Sequence, residues 1–293
     1  MKNTIEYYYN LIIHDFKKSN ETFTFEINKK TYSFVPFYGN FDLIFDCYNE
    51  LNQKNKYCHE ILFNKYKSAI TQYNGRQYIL IKKNLVINKK IDLKEIINYD
   101  IPVNSRNYYS LKTLLKEKID YYEYQMSQLS FKFPILKKSF NYYVGLTETS
   151  ISLLNYVSDR KINLYVCHKR IKYKEKVEEL FNPLEFVVDN RTRDIAEYIK
   201  INYLNEDISI NKIYQSIDYL NFNYDETILF LSRLIYPSYY FDLYDQIIQG
   251  NIREDKILLY IYENVKYEEF LKKIYLHLNK KNSLPNIDWL NNQ

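Results

Sequence analysis

The chain has 293 residues, 46% apolar and 26% charged, an ordinary balance for a soluble globular protein of one large domain or two lobes. Its net charge of +5 is spread among alternating signs, which argues against the basic stripe of a nucleic-acid binder. No run of about 18 uncharged apolar residues occurs, so a membrane-spanning helix is not expected.

The opening, MKNTIEYYYNLIIHDF, has too short an apolar segment for a signal peptide, and the cytoplasm is the expected compartment. FTFEINKKTYSFVPF, Phe23 to Phe37, alternates apolar and polar residues around Asn28-Lys29-Lys30 and predicts a hairpin. FDLIFDCYNELNQ sets Phe41, Ile44, Phe45, Tyr48 and Leu51 at helical spacing. HEILFNKYK reads as a short helix or an extended entry. Two strands follow, Ser68–Gln72 and Gln77–Ile81, joined at Asn74-Gly75. Residues 83–105 hold the best candidate hinge.

Beyond it the pattern is mostly helical. Leu111, Leu114, Leu115, Ile119, Tyr122, Met126 and Leu129 form one apolar stripe. Gly145 is read as a break, after which Thr147 caps a helix carrying Ile151 and Leu154. INLYVC and LEFVVD read as short strands flanking the charged segment 169–182, whose KEKVEEL stretch reads as a solvated helix face. Helical patterns then cover 193–204, 208–220, 225–235, 239–249 and 254–279, punctuated by Pro237 and Gly250. Asp194, three residues before Glu197, reads as an N-cap with a capping-box partner.

Several chemistries are missing. Cys47, Cys58 and Cys167 lack CxxC spacing, and Cys58-His59 with Cys167-His168 match no common zinc spacing, so reduced thiols are expected. The four glycines, Gly39, Gly75, Gly145 and Gly250, are too far apart for GxGxxG or a P-loop. The 34 tyrosines rise together with Lys, Asn, Ile and Phe, as an AT-rich coding sequence would produce, and carry little functional meaning.

A small β-rich region, a larger helical one, and two short strands ending in His168 and Asp189 form a specific arrangement. With SAITQYNGRQYILIKKN, FNYYVGLTETSISLLNYV, CHKRI, NPLEFVVDNRTRDIAEYIK and SRLIYPSYYFDLYDQII in this order, the chain resembles the aminoglycoside phosphotransferase/choline kinase superfamily. Within it, the resemblance is to the spore-coat CotS/YutH-type branch. It implies an α+β, bilobal protein kinase-like fold, with a β-rich N-lobe over 1–83, a hinge over 84–107 and a helical C-lobe over 108–293. It also implies coat components as protein partners and assembly onto the spore surface.

The superfamily's catalytic loop reads H-G-D-x-x-x-x-N, followed by a strand ending in a metal-binding Asp. By that resemblance His168 matches the His, Lys169 replaces the Gly and Arg170 falls at the base. Glu175 takes the position of the magnesium-holding Asn, where its carboxylate could still ligate a metal, Asp189 that of the metal-binding Asp, and Asp194 that of the acid starting the next helix. A guanidinium, with a pKa above about 12, cannot accept the substrate proton and repels magnesium. No glycine-rich cover and no lysine inside an apolar strand is evident to grip phosphates.

Each candidate also has a plainer role. Asp189 could be a helix N-cap partner or an ion pair with Arg191 or Arg193; His168 could make a structural hydrogen bond behind the loop; Glu175, Glu178 and Glu179 could form a solvated face. The expected function is thus a degenerate kinase-like protein with a structural or interaction role. The alternative is an ATP- and magnesium-dependent small-molecule phosphotransferase with a displaced acid, drawn from Asp159, Asp189 and the Glu175–Glu179 group. A third reading, a binder of nucleic acid or acidic surfaces, rests on pI 8.7 and on KKIYLHLNKK, which also suits a snorkelling amphipathic helix.

Overall fold

A computed structural model describes residues 1–54, 57–83, 87–103, 109–158 and 162–291. It divides into two compact units: Met1–Asn107 with Tyr165–Arg170 and Lys174–Val188, and Tyr108–Leu164 with Ile171–Tyr173 and Asp189–Gln293.

The first unit opens with helix α1 (Lys2–Tyr9) and continues through β1 (Phe16–Ser19), β2 (Thr22–Ile27), β3 (Lys30–Pro36), α2 (Phe41–Gln53), β4 (Glu60–Leu62), β5 (Ile70–Tyr73), β6 (Arg76–Lys83) and α3 (Leu93–Asn98). The strands form one antiparallel sheet in the order β1-β2-β3-β6-β4, and β5 shares with β4 the same edge of β6. The expected hairpin is present, its turn formed by Asn28 and Lys29 at φ 51° and 62°. Phe23 pairs with Phe34 and Phe25 with Tyr32, and the latter two rings stack 5.3 Å apart. These four rings, with Tyr78, Leu80, Ile5 and Ile13, make the core of one sheet face. Phe37, Ile44, Ile61, Ala69, Ile79, Ile81 and Leu184 make the other.

Helix α2 matches its expected span and is capped by the Asn40 side chain, which accepts from the Asp42 amide. HEIL resolves as extended, and the second strand of the next hairpin runs on to Lys83 rather than ending at Ile81. Helix α1 and strand β1 were not expected. In the proposed hinge, α3 has a capping box between Asp92 and Glu95, while residues 84–86 and 104–107 lie outside the described residues.

Two further strands, β7 (Tyr165–His168) and β8 (Phe186–Asp189), pair with each other. Val166 and Cys167 are buried, which seats β7. The Val166 amide donates to the Ile101 carbonyl at 2.9 Å.

The second unit is built from α4 (Leu111–Leu129), α5 (Pro134–Leu153), α6 (Thr192–Leu204), α7 (Ile210–Leu220), α8 (Tyr224–Ile235), α9 (Ser238–Ile248), α10 (Leu258–Asn279) and the short α11 (Asp288–Asn291). Every residue of α8 from Glu226 to Ile235 is buried. Small residues let α5 approach it: Ser150 Oγ and Ser232 Oγ lie 2.7 Å apart. Aromatic stacking fills the rest, as in Tyr143 on Tyr240 and Tyr122 on Phe241.

The expected break at Gly145 does not occur. Helix α5 runs through it, and Thr147 donates its hydroxyl to the Tyr143 carbonyl at 2.9 Å from mid-helix, so it caps nothing. Asp194 is likewise no N-cap. Helix α6 already begins at Thr192, whose amide donates to Asn190 Oδ1 at 3.0 Å, while Asp194 is buried in the first turn. Glu197, its expected partner, instead takes hydrogen bonds from Lys200 and Ser238.

Candidate active site

The candidate residues fall into two clusters, one in each unit. The first surrounds the loop after β7. His168 is buried between the rings of Tyr99 and Phe186, and its Nε2 lies 3.0 Å from the Leu180 carbonyl oxygen. Lys169 is tied down at both ends: its amide donates to the Glu185 carbonyl at 2.8 Å and its ammonium to the Leu184 carbonyl at 2.6 Å. The Arg170 guanidinium reaches the Lys169 carbonyl at 3.3 Å.

Residues 175–181 are fastened to the sheet unit by backbone bonds. The Glu175 carbonyl accepts from Ile91, the Val177 amide donates to Lys89, and the His59 amide donates to Phe181, each at 2.8 Å. The solvated helix face expected for KEKVEEL is absent. Val177–Phe181 is a single 3-10 turn, and Glu178 on it is buried. That turn aims both acids at Lys83, at 3.3 Å from Glu178 and 3.1 Å from Glu179. Glu175 is half-buried beside them in sequence.

Two carboxylates therefore share one ammonium. Burial acts against the charge on Lys83, but Glu179 and Glu178 outweigh it and its pKa is raised. His59 lies in the same cluster, buried, without a well-formed hydrogen bond at either ring nitrogen. Burial, reinforced by the Lys83 charge, lowers its pKa to about 4, so the ring is neutral.

The second cluster is centred on Asp189, the last residue of β8 and buried. Its Oδ1 accepts from Arg233 at 2.6 Å and from the Asn190 amide at 2.7 Å, and its Oδ2 accepts from Arg193 at 2.8 Å. Burial alone would raise this carboxyl. The charges of Arg233 and Arg193, with their hydrogen bonds, reverse the effect and hold it below the usual carboxylate range. Arg191 turns away to a bidentate pair with Glu226, at 2.7 and 2.9 Å.

Sequence reasoning missed Lys83, the burial of Glu178 and His59, and above all Arg233. A signal for Arg233 was present: a lone arginine inside the apolar run ILFLSRLI must bury its charge against an acid. Asp159, weighed as a displaced acid, lies outside the described residues. Among the described residues no group of three or more His, Cys, Asp or Glu side chains is placed to hold a metal ion.

Residues 117–274 match the family described as Spore coat putative kinase YutH. The chain is 26% identical over 175 residues to the endospore coat-associated protein YutH of Bacillus subtilis, an alignment covering 52% of this chain and about half, 51%, of that relative. Among solved structures, an aminoglycoside phosphotransferase from Alicyclobacillus acidocaldarius superposes with a TM-score of 0.64 at 10% identity, covering 96% of each chain. Spectinomycin phosphotransferase APH(9)-Ia, solved with ADP and spectinomycin, gives 0.56 at 14% identity over 94% of this chain and 97% of its own. Choline kinase LicA from Streptococcus pneumoniae gives 0.50 at 12% identity over the same shares, 94% and 97%. The fold is thus the bilobal kinase-like one, with a β-rich N-terminal region and a mostly helical C-terminal region.

Proposed function

The chain belongs to the spore coat putative kinase YutH family, and from that premise we propose that it is a non-catalytic, kinase-like component of the spore coat that acts through contacts with other coat proteins. One observation carries the reading: the Asp189 carboxylate accepts hydrogen bonds from two guanidiniums, Arg233 and Arg193, and a backbone amide. A magnesium ion needs hard oxygen ligands with negative charge to spare. Here two positive charges already face the one carboxylate, so the donor set does not fit a divalent cation.

The loop supports the same reading. By the resemblance to the superfamily's catalytic loop, Arg170 falls where phosphoryl transfer would need an acid to receive the acceptor's proton. Glu178 and Glu179, eight and nine residues further along the chain, are engaged by Lys83, and the Glu175 backbone is tied to Ile91. With an arginine at the base position, no metal-holding group among the described residues and no glycine-rich stretch in the sequence, little is left to stabilise the charge that develops on a transferred phosphoryl group. The protein's work is then in its surfaces, as an assembly component recruited to the coat.

ADP formation from ATP with magnesium tests this, with Asp189→Asn as the control. The reading predicts a rate indistinguishable from background in both proteins. Magnesium-dependent ADP formation that vanishes in the Asn variant would overturn it.

A further inference from the structure

Helix α10 is apolar on two faces, which a helix packed on one side only should not be. Tyr267, Phe270, Leu271, Ile274, Tyr275 and Leu278 are buried in the second unit. Yet Leu259, Tyr262 and Val265 on the same helix are 64%, 76% and 69% exposed. The outward residues keep a strict order. Leu259, Tyr262, Lys266, Glu269, Lys273 and Leu276 are spaced 3-4-3-4-3, and all six are exposed. That is the spacing of a coiled-coil seam, about 26 Å long at 1.5 Å per residue.

The geometry points to a second copy of this chain as the occupant of the seam, lying antiparallel across a two-fold axis. Reversing the helix about the middle of the 266–269 interval brings each position onto a partner that suits it. Leu259 meets Leu276 of the other copy. Tyr262 meets Lys273, whose ammonium finds the tyrosine ring face. Lys266 meets Glu269, and the symmetry repeats each contact in mirror order.

A parallel pairing fails on the same residues, because it sets lysine on lysine at 266 and 273 and glutamate on glutamate at 269. Within its own chain Lys266 is held by Glu206 and Glu263, both at the surface. Such exposed pairs contribute little and exchange readily. The interaction is independent of nucleotide and of the non-catalytic reading above. A seam of one helix per partner lies at the small end of specific interfaces, so dimers should form only at concentrations above roughly 10 µM.

Sedimentation velocity on the full chain, from about 1 to about 500 µM, reads the association directly. A reversible dimer is expected. Lys266→Glu should weaken it at least about tenfold, and adding Glu269→Lys, which restores opposite charges across the axis, should bring it back. Both sites are exposed and the pairs Lys266 makes with Glu206 and Glu263 are surface ones, so thermal melts should stay within a few degrees of wild type. An independent check leaves the charges alone. Under mild oxidation a mixture of Leu259→Cys and Leu276→Cys proteins should form a disulfide-linked dimer, while neither variant does so by itself. A chain monomeric throughout, a dimer indifferent to Lys266→Glu, or self-cross-linking of either cysteine variant through its introduced thiol, the native Cys47, Cys58 and Cys167 being buried, would overturn the proposal.

Discussion

The two buried charge clusters are built with opposite excess. In the first unit Glu178 and Glu179 share one ammonium, Lys83, beside a neutral His59. In the second unit two guanidiniums, Arg193 and Arg233, share one carboxylate, Asp189. A kinase-like site would need free acid for metal and proton, and free cation for phosphate. Each cluster instead consumes its scarce partner internally. The difference also sets how each responds to injury: Arg193 and Arg233 converge on the same carboxylate, whereas Lys83 is met by two.

The largest effect should come from removing the acid that two arginines share. Asp189→Ala removes the carboxylate that faces Arg233, 7% exposed, and Arg193, and should cost about 3–5 kcal/mol in urea unfolding. A loss below about 1 kcal/mol would mean that the arginines find other partners.

The pH response should separate the clusters. His59 has a folded pKa of about 4 against an ordinary 6.5, so the unfolded chain binds more protons between those values. Its contribution is complete above pH 6.5 and is lost as pH falls toward 4, by at most about 3 kcal/mol. Asp189, lowered from 3.8, contributes above that value and loses its contribution only as pH falls below it. Mild acid thus tests the first unit and strong acid the second. A His59→Phe protein should lose less stability than wild type between pH 6.5 and 4, and identical slopes would remove His59 from the account.

Smaller effects complete the comparison. Lys83→Met leaves two acids facing each other, Glu178 buried, and should cost about 2 kcal/mol. Glu179→Gln takes one of two acids and should cost under about 1 kcal/mol, since Lys83 keeps Glu178. Equal losses for the two variants would contradict the spare-acid view of that cluster.

Legibility in the sequence follows the physics of each element. The Phe23–Phe37 hairpin and α2 were plain because their periods are strong and a turn or cap residue marks their ends. Strand β1 was not, because Lys17, Lys18 and Ser19 are exposed and show no alternation. Gly145 misled because a glycine inside a helix is tolerated when the rest of the apolar stripe is long. Of the Asp189 site, the Arg193 pair was readable from its i,i+4 spacing. Arg233 comes from 44 residues away and needs the fold to bring it there. The burial of Glu178 was hidden for a related reason: an acid-rich segment looks solvated until a lysine from a distant strand is seen to meet it.

The most direct test of the central claim is a calorimetric titration of the wild-type chain with ATP, with and without magnesium. With Asp189 bound by two arginines, no magnesium-dependent binding should be seen at millimolar nucleotide. Magnesium-dependent binding that disappears in Asp189→Asn would contradict the account and make this carboxylate a metal ligand.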